Sequence, residues 1–234
     1  SPTNAAGSAS LWLMADGVAR PVAALGSANE WTVLWGERSA EFAPRLPEGT
    51  SANDRLAFAW SDVDGDGQVQ PSEVDLIRGD AYGVTVMPDL SFVVSYLDGK
   101  AVRFAPASFT AAGAPRYDLA AGATLAVGTR KPQTSGGGQA LATDDGWTVL
   151  TVPPEPFAAQ ASVAGVRNGE PMWTYPSRWP GLHPSHDAAM PEGPGELIGN
   201  TRLLGGLVTP PESDLGPVWA LNGNKGNTYL FTAD

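Results

Sequence analysis

Asp62, Asp64 and Asp66 occupy alternate positions of one short run, Gly67 follows the third, and Glu73 closes the run. That spacing on a tightly turned chain gathers three carboxylates that repel one another unless a cation shares them. A hard cation of calcium's size takes six to eight oxygens at about 2.3–2.6 Å. Asp62, Asp64 and Asp66 would each give one carboxylate oxygen. Gln68 would offer its backbone carbonyl, Gln70 would reach the ion directly or through a water, and Glu73 would close the shell with both oxygens. Gly67 permits the sharp turn. The plainer alternative is a solvated acidic turn, because Asp-Gly pairs are common turn formers.

Taken whole, residues 62–73 (Asp-Val-Asp-Gly-Asp-Gly-Gln-Val-Gln-Pro-Ser-Glu) resemble the calcium loop of EF-hands and the related dockerin-type loop. None of that pattern's anchor positions is missing. The resemblance implies Ca2+ as the bound cofactor, held by Asp62, Asp64, Asp66, Gln68, Gln70 and Glu73. The flanks differ from an EF-hand. Residues 56–60 alternate bulky and small side chains and read as a strand, and residues 73–77 read as one short helical turn ended near Gly79. A calcium sensor needs two helices that change angle. A strand, a loop and a short helix predict a structural clip instead.

A second group with ligating chemistry lies in residues 179–190, where the chain's two histidines, His183 and His186, stand three apart. With Asp187 or Met190 they could hold a transition metal or a haem iron, and a histidine can act as a general base. The alternative is packing and hydrogen bonding within a loop. Trp173, Tyr175 and Trp179 fall in the same region and form a candidate ligand platform, because flat rings stack on apolar sugar faces. Trp12, Trp31, Trp35, Trp60, Trp147 and Trp219 lie in strand-like runs and are expected in the core. No nucleophile elbow, phosphate loop or dinucleotide fingerprint is present, and no catalytic residue is assigned.

The elements that must carry these groups are short. The 234 residues include 28 glycines and 21 prolines, a turn density that favours many brief strands over long helices. Charged residues make up only 17%, too few for a coiled coil or a disordered acidic tail. The net charge of −11, with nothing basic clustered, argues against a nucleic-acid partner. Without cysteine there is no disulfide, thiolate metal site or cysteine nucleophile. No apolar run is long enough to span a bilayer. Residues 1–10 are small and polar and read as a flexible N-terminal segment, a linker or the remainder of a processed precursor.

Strands are expected at residues 11–14, 22–25, 31–35 and 56–60, with a loop over residues 36–55. A three-strand meander is expected at 82–87, 91–96 and 101–104, followed by a strand at 124–127. A second meander is expected at 139–143 and 147–152, continuing through 157–163. Residues 170–200 read as a long insertion rich in proline and aromatic residues. The chain then resumes at 202–208, 217–221 and 228–234. Strand–Asp-Gly–strand units recur at Asp16-Gly17, Asp98-Gly99 and Asp145-Gly146. Their spacing, roughly 45–80 residues with insertions allowed, suits propeller blades. A sandwich is the rival, and residues 170–200 fit it poorly.

Residues 218–234 (Val-Trp-Ala-Leu-Asn-Gly-Asn-Lys-Gly-Asn-Thr-Tyr-Leu-Phe-Thr-Ala-Asp) resemble a blade junction of the quinoprotein-like β-propellers. The spacing of Ala220, Asn222 and Gly226 matches, whereas Tyr229 and Leu230 stand where a docking tryptophan is usual. Residues 139–150 are a weaker copy. The resemblance implies an all-β, propeller-like fold with long loop insertions and one EF-hand-like calcium loop. The expected division is the N-terminal segment 1–10 and a propeller-like domain 11–234, with insertions at 61–79 and 170–200. Asp234 falls where such a repeat would continue. With about four to five blades' worth of chain, a partial propeller completed by the rest of a longer polypeptide, or by other protein chains, is expected.

These readings converge on a calcium-bearing module of a secreted, periplasmic or surface protein, engaged in binding or scaffolding within a larger assembly. The competing classes are a quinoprotein-like oxidoreductase and a carbohydrate-binding module with a glycan partner. Against the oxidoreductase, the calcium loop is self-contained, whereas a catalytic calcium in that family bridges cofactor and protein.

Overall fold

Asp-Gly pairs make tight joints between strands. At Asp16-Gly17 and Asp98-Gly99 both residues take positive φ (50° and 76°; 47° and 83°), the twist that joins neighbouring antiparallel strands. Asn168-Gly169 repeats the device at 51° and 86°. The computed structural model describes residues 7–51, 54–132, 138–158, 161–176, 190, 192–193, 196–197, 202–204, 209–223 and 226–233. These residues are mostly β, in several antiparallel sheets, none closed into a barrel.

The first sheet runs β1 (Ser8–Ala15), β2 (Val18–Ser27), β3 (Leu56–Ser61), β4 (Val74–Arg78), each strand beside its sequence neighbour. The second contains β5 (Ala81–Val86), β6 (Phe92–Leu97) and β7 (Lys100–Phe104). A small hairpin, β8 (Ser108–Phe109) and β9 (Pro115–Arg116), precedes its fourth strand, β10 (Ala123–Val127). The third runs β11 (Ala140–Ala142), β12 (Trp147–Leu150), β13 (Ala161–Arg167), β14 (Glu170–Pro176). Last come β15 (Val218–Asn222) and β16 (Thr228–Thr232), with Leu203 bridged to Leu221 on the far side of β15.

Side-chain alternation explains how the sheets stack. All six residues of β3 are buried because its two faces serve two cores. Ala57 and Ala59 face a core shared with Val84, Phe92, Val94 and Phe104 of the second sheet. Leu56, Phe58 and Trp60 face the opposite way, into a core closed by Leu34 and Phe42. The second sheet is divided likewise: Phe92 and Val94 point toward the first sheet, while Val93 and Ala101 join Val149, Val166, Trp219 and Leu221 in the next core. The second sheet is thus covered on both faces. The first strands of the three sheets lie together, β1 against β5 and β5 against β11.

Several expectations change. Residues 31–35 are not a strand: Thr32–Trp35 forms one helical turn, α1, and a second, α2 (Ser39–Phe42), leads into a 3-10 turn at Ala43–Arg45 within the stretch read as a loop. These turns plug the outer face of the first sheet, with Trp31 stacked on Phe58 at 4.1 Å between ring centroids. Residues 73–77 are not a helix. Only Pro71–Glu73 makes a 3-10 turn, and Val74–Arg78 pairs with β3 as β4, because a strand edge was there to satisfy its backbone. Residues 170–176 belong to β14 rather than to an insertion, and β1 already begins at Ser8, inside the segment expected to be flexible. Trp60, Trp147 and Trp219 are buried as expected. Trp12 and Trp35 are exposed (57% and 39%), since β1 projects beyond the sheet and α1 turns Trp35 outward. Among the described residues, no helix is long and apolar enough to cross a membrane.

Candidate metal site

The acidic run is the connection between β3 and β4. Trp60 and Val74 are ladder partners, so residues 61–73 form a loop whose two ends are held side by side. The β2–β3 ladder reaches one bond further, with Asp62 N donating to Val22 O at 2.9 Å. This fixes the first carboxylate on the sheet before the chain turns away. Gly65 and Gly67 then take φ of 84° and 73°, a region that strains any side-chain-bearing residue.

Each aspartate spends one oxygen on local backbone amides. Asp62 Oδ1 accepts from Gly65 N and Gly67 N, both at 3.1 Å; Asp64 Oδ1 accepts from Asp66 N at 3.2 Å; Asp66 Oδ1 accepts from Gln68 N at 2.6 Å. The second oxygens are left for something else. Gln70 Nε2 bridges Asp64 Oδ2 (3.2 Å) and Asp66 Oδ2 (3.0 Å). Asp62, whose side chain is completely buried, has no hydrogen bond to Oδ2. One oxygen from each of Asp62, Asp64 and Asp66 lies within 4.8 Å of the others; among the described residues this is the one group of three that could hold a metal ion.

Glu73 stands apart from that trio. It is buried, and its carboxylate closes the loop from behind. Oε1 accepts from Val63 N (2.6 Å) and Asp64 N (3.4 Å), while Oε2 accepts from Trp60 Nε1 (3.1 Å) and Gln70 N (3.3 Å). The ion-closing role expected of it therefore requires those donors to be released. Gln70 Oε1 is a buried acceptor without a hydrogen bond; the nearby Glu73 N–H is spent on Gln70's own carbonyl at 3.1 Å. Gln68 enters through its amide, as above.

One residue of the site has no signature in the sequence. Arg20, on β2, lies across the two glycines. Its Nη1 is 3.2 Å from Asp62 Oδ2 and donates to Gly65 O, and its Nη2 donates to Ala112 O at 3.4 Å. The contact with Asp62 supplies charge without the direction of a hydrogen bond, which is why Oδ2 remains without a donor. Strand register alone explains the encounter: Ala23 faces Ser61 across the β2–β3 ladder, so Arg20 falls beside the loop where it leaves the sheet.

The other candidates divide. His183, His186 and Trp179 lie outside the described residues. Trp173 is half-buried, donates Nε1 to Ala233 O at 2.7 Å, meets Phe231 edge-on and lies over Gly165, so much of its ring is used in packing. With Tyr175 it lines a cleft of about 540 Å³ that Val163, Tyr229 and Leu230 also border. Comparison with protein-family profiles, with curated proteins and with solved structures gave no match to this chain.

Proposed function

We propose that this chain is a calcium-binding, propeller-type module that acts outside the cytoplasm in binding or scaffolding within a larger assembly. The observation that carries the metal reading is the direction of the carboxylates. Three Oδ1 atoms are tied to the loop's own amides, one oxygen from each aspartate lies within 4.8 Å of the others, and the buried Asp62 Oδ2 accepts no hydrogen bond, its charge partner being Arg20 at 3.2 Å. Burying such an oxygen is costly unless a positive charge compensates it, and Arg20 brings a single charge to a group of three carboxylates. Turning the Gln70 amide over would bring Oε1, now without a partner, toward the oxygens that Nε2 bridges and add a fourth side-chain donor. An all-oxygen donor set on a glycine turn suits calcium, which accepts irregular geometry, better than magnesium, which demands a near-ideal octahedron.

Support for the propeller comes from the repeated four-strand sheets stacked face to face, with β1, β5 and β11 adjacent. Within such a body the loop acts as a clip, since it joins two paired strands and carries no helix pair to swing. Location outside the cytoplasm goes with the same reading, because calcium is abundant enough there to fill even a loop of modest affinity.

The test is calorimetric titration of chelator-treated protein with CaCl2, paired with thermal melts in calcium and in EDTA. At a calcium concentration one hundred times the Kd, binding adds about 2.7 kcal/mol. The melt should rise by several degrees, with one ion per chain in the titration. Identical melts and no binding heat at millimolar calcium would refute the metal reading.

A further inference from the structure

We infer that Arg20 is the loop's resident cation, and that it sets how tightly the loop holds calcium. This rests on the calcium reading above and adds a regulator to it. The guanidinium lies beside Asp62 Oδ2, the one buried carboxylate oxygen without a hydrogen bond, and its second anchor is a carbonyl of the loop itself, Gly65 O. The Arg20 stem fills the hollow over the glycine turn. A Cβ on Gly65 would stand 3.0 Å from Arg20 Nη1, and one on Gly67 would stand 3.1 Å from Arg20 Cγ. The arginine therefore neutralises part of the cage's charge while the ion is away, and holds the turn in its ion-ready form.

The arrangement makes arginine and ion rivals. A divalent ion drawing on Asp62 Oδ2 meets a guanidinium already within 3.2 Å of that oxygen. Arg20 must then remain and weaken the ion's hold, or withdraw toward Ala112 O, which its Nη2 already touches. Ala112 lies between β8 and β9, so withdrawal would carry the arginine's attachment from the loop to the separate β8–β9 hairpin. A second arginine at the loop serves as a control. Arg38 Nη2 reaches Val69 O at 3.0 Å but is paired with Glu41 in solvent and contacts none of the three aspartates.

The experiment is calcium titration by calorimetry, with EDTA melts, of the full chain and of Arg20→Met, Arg20→Gln, Arg20→Lys and Arg38→Met. Removing a unit charge about 4 Å from a divalent ion tightens binding by at least about tenfold, even at the dielectric constant of water. Arg20→Met should bind calcium at least about tenfold more tightly and melt lower in EDTA, two effects of opposite sign that loss of packing alone would not produce. Arg20→Gln, a second neutral variant that keeps a polar head, should tighten binding similarly if Arg20→Met folds poorly. Arg20→Lys and Arg38→Met should stay close to the parent affinity. Calcium binding by the parent with equal or weaker binding by both neutral variants would overturn this inference and leave the calcium reading intact. Equal tightening by Arg20→Lys would also overturn it, since shape and not charge would then be responsible. Binding by a neutral variant alone would support the arginine as occupant, and no heat from any variant would overturn both readings.

Discussion

Replacing Glu73 with glutamine separates a residue that closes the loop from one that only waits for a metal. The Glu73 carboxylate is buried and takes three N–H donors within 3.3 Å, with a fourth at 3.4 Å. An amide at the same place keeps one acceptor oxygen and turns an NH2 group toward donors. It thus forfeits two charge-assisted hydrogen bonds, each worth about 1.5–3 kcal/mol, and repacking recovers part of that loss. A net cost of about 3 kcal/mol is expected. For a chain of this length each kcal/mol lowers the melt by about 2–4 °C, so Glu73→Gln should melt roughly 6–12 °C below the parent. The assay is a thermal melt in EDTA, followed by near-ultraviolet dichroism and tryptophan emission, because Trp60 loses its indole partner. A Glu73→Gln protein that melts with the parent in EDTA would refute the reasoning, since the four donors would then have found equal partners in the amide.

The remaining expectations concern the joints between sheets. Arg103 ties the second sheet to the third, meeting Asp89 at 2.5 Å and Asp144 at 3.0 Å. Burial pushes the Asp89 carboxyl up, but hydrogen bonds from Ser91 and Arg103 outweigh it and hold it below its ordinary value. A depressed carboxylate stabilises the fold above its unfolded pKa of about 3.9, and that stability is lost as pH falls through the folded value. Arg103→Met should therefore cost about 1 kcal/mol at neutral pH after solvent screening, and the gap from the parent should close in urea melts below about pH 4. A gap independent of pH would assign the loss to packing. In the third sheet, a Cβ on Gly165 would collide with the Trp173 indole. Gly165→Ala should cost about 1–3 kcal/mol by overpacking and red-shift tryptophan emission as Trp173 leaves Ala233 O, and an unchanged spectrum and melt would count against the close approach.

What could be read in the sequence followed from rules that act over a few residues. Asp-Gly joints fixed two hairpins because the pair accepts positive φ on both residues, and the alternating run at 56–60 gave β3 because a period of two has one interpretation in so short a stretch. The acidic spacing identified the three aspartates for the same reason: each carboxylate caps an amide only two to five residues onward. The failures were all tertiary. Residues 31–35 (Trp-Thr-Val-Leu-Trp) have strand composition, yet they turn into α1 because the outer face of β3 needs Leu34 as a plug and not another strand. Val74–Arg78 extends because β3 offers it a free edge. Arg20 reaches the loop only through the β2–β3 register, which no local pattern encodes. Trp12 and Trp35 carry the same hydrophobic signal as Trp60, and the difference in burial lies in what covers each: Trp60 lies on the face of β3 that Leu34 and Phe42 close, whereas Trp12 and Trp35 stay exposed.

The same division between local and long-range determinants bears on what an ion would do here. The walls of the cage are local: three Asx-type turns and a glycine bend keep the carboxylates oriented without help from the sheets. Its position is not local, because Asp62 hangs from Val22 O, Glu73 from Trp60 and the glycine turn from Arg20. Closing the cage shortens no helix and opens no groove; it draws together residues that flank the ladder pair Trp60–Val74. Binding energy delivered at that point therefore resists separation of β3 from β4, and β4 is the edge strand over which the α1 and α2 plug also lies. An ion held there would protect the first sheet against unfolding from its edge, so slower amide exchange in β3 and β4 is the change to look for, with little effect in β11–β14.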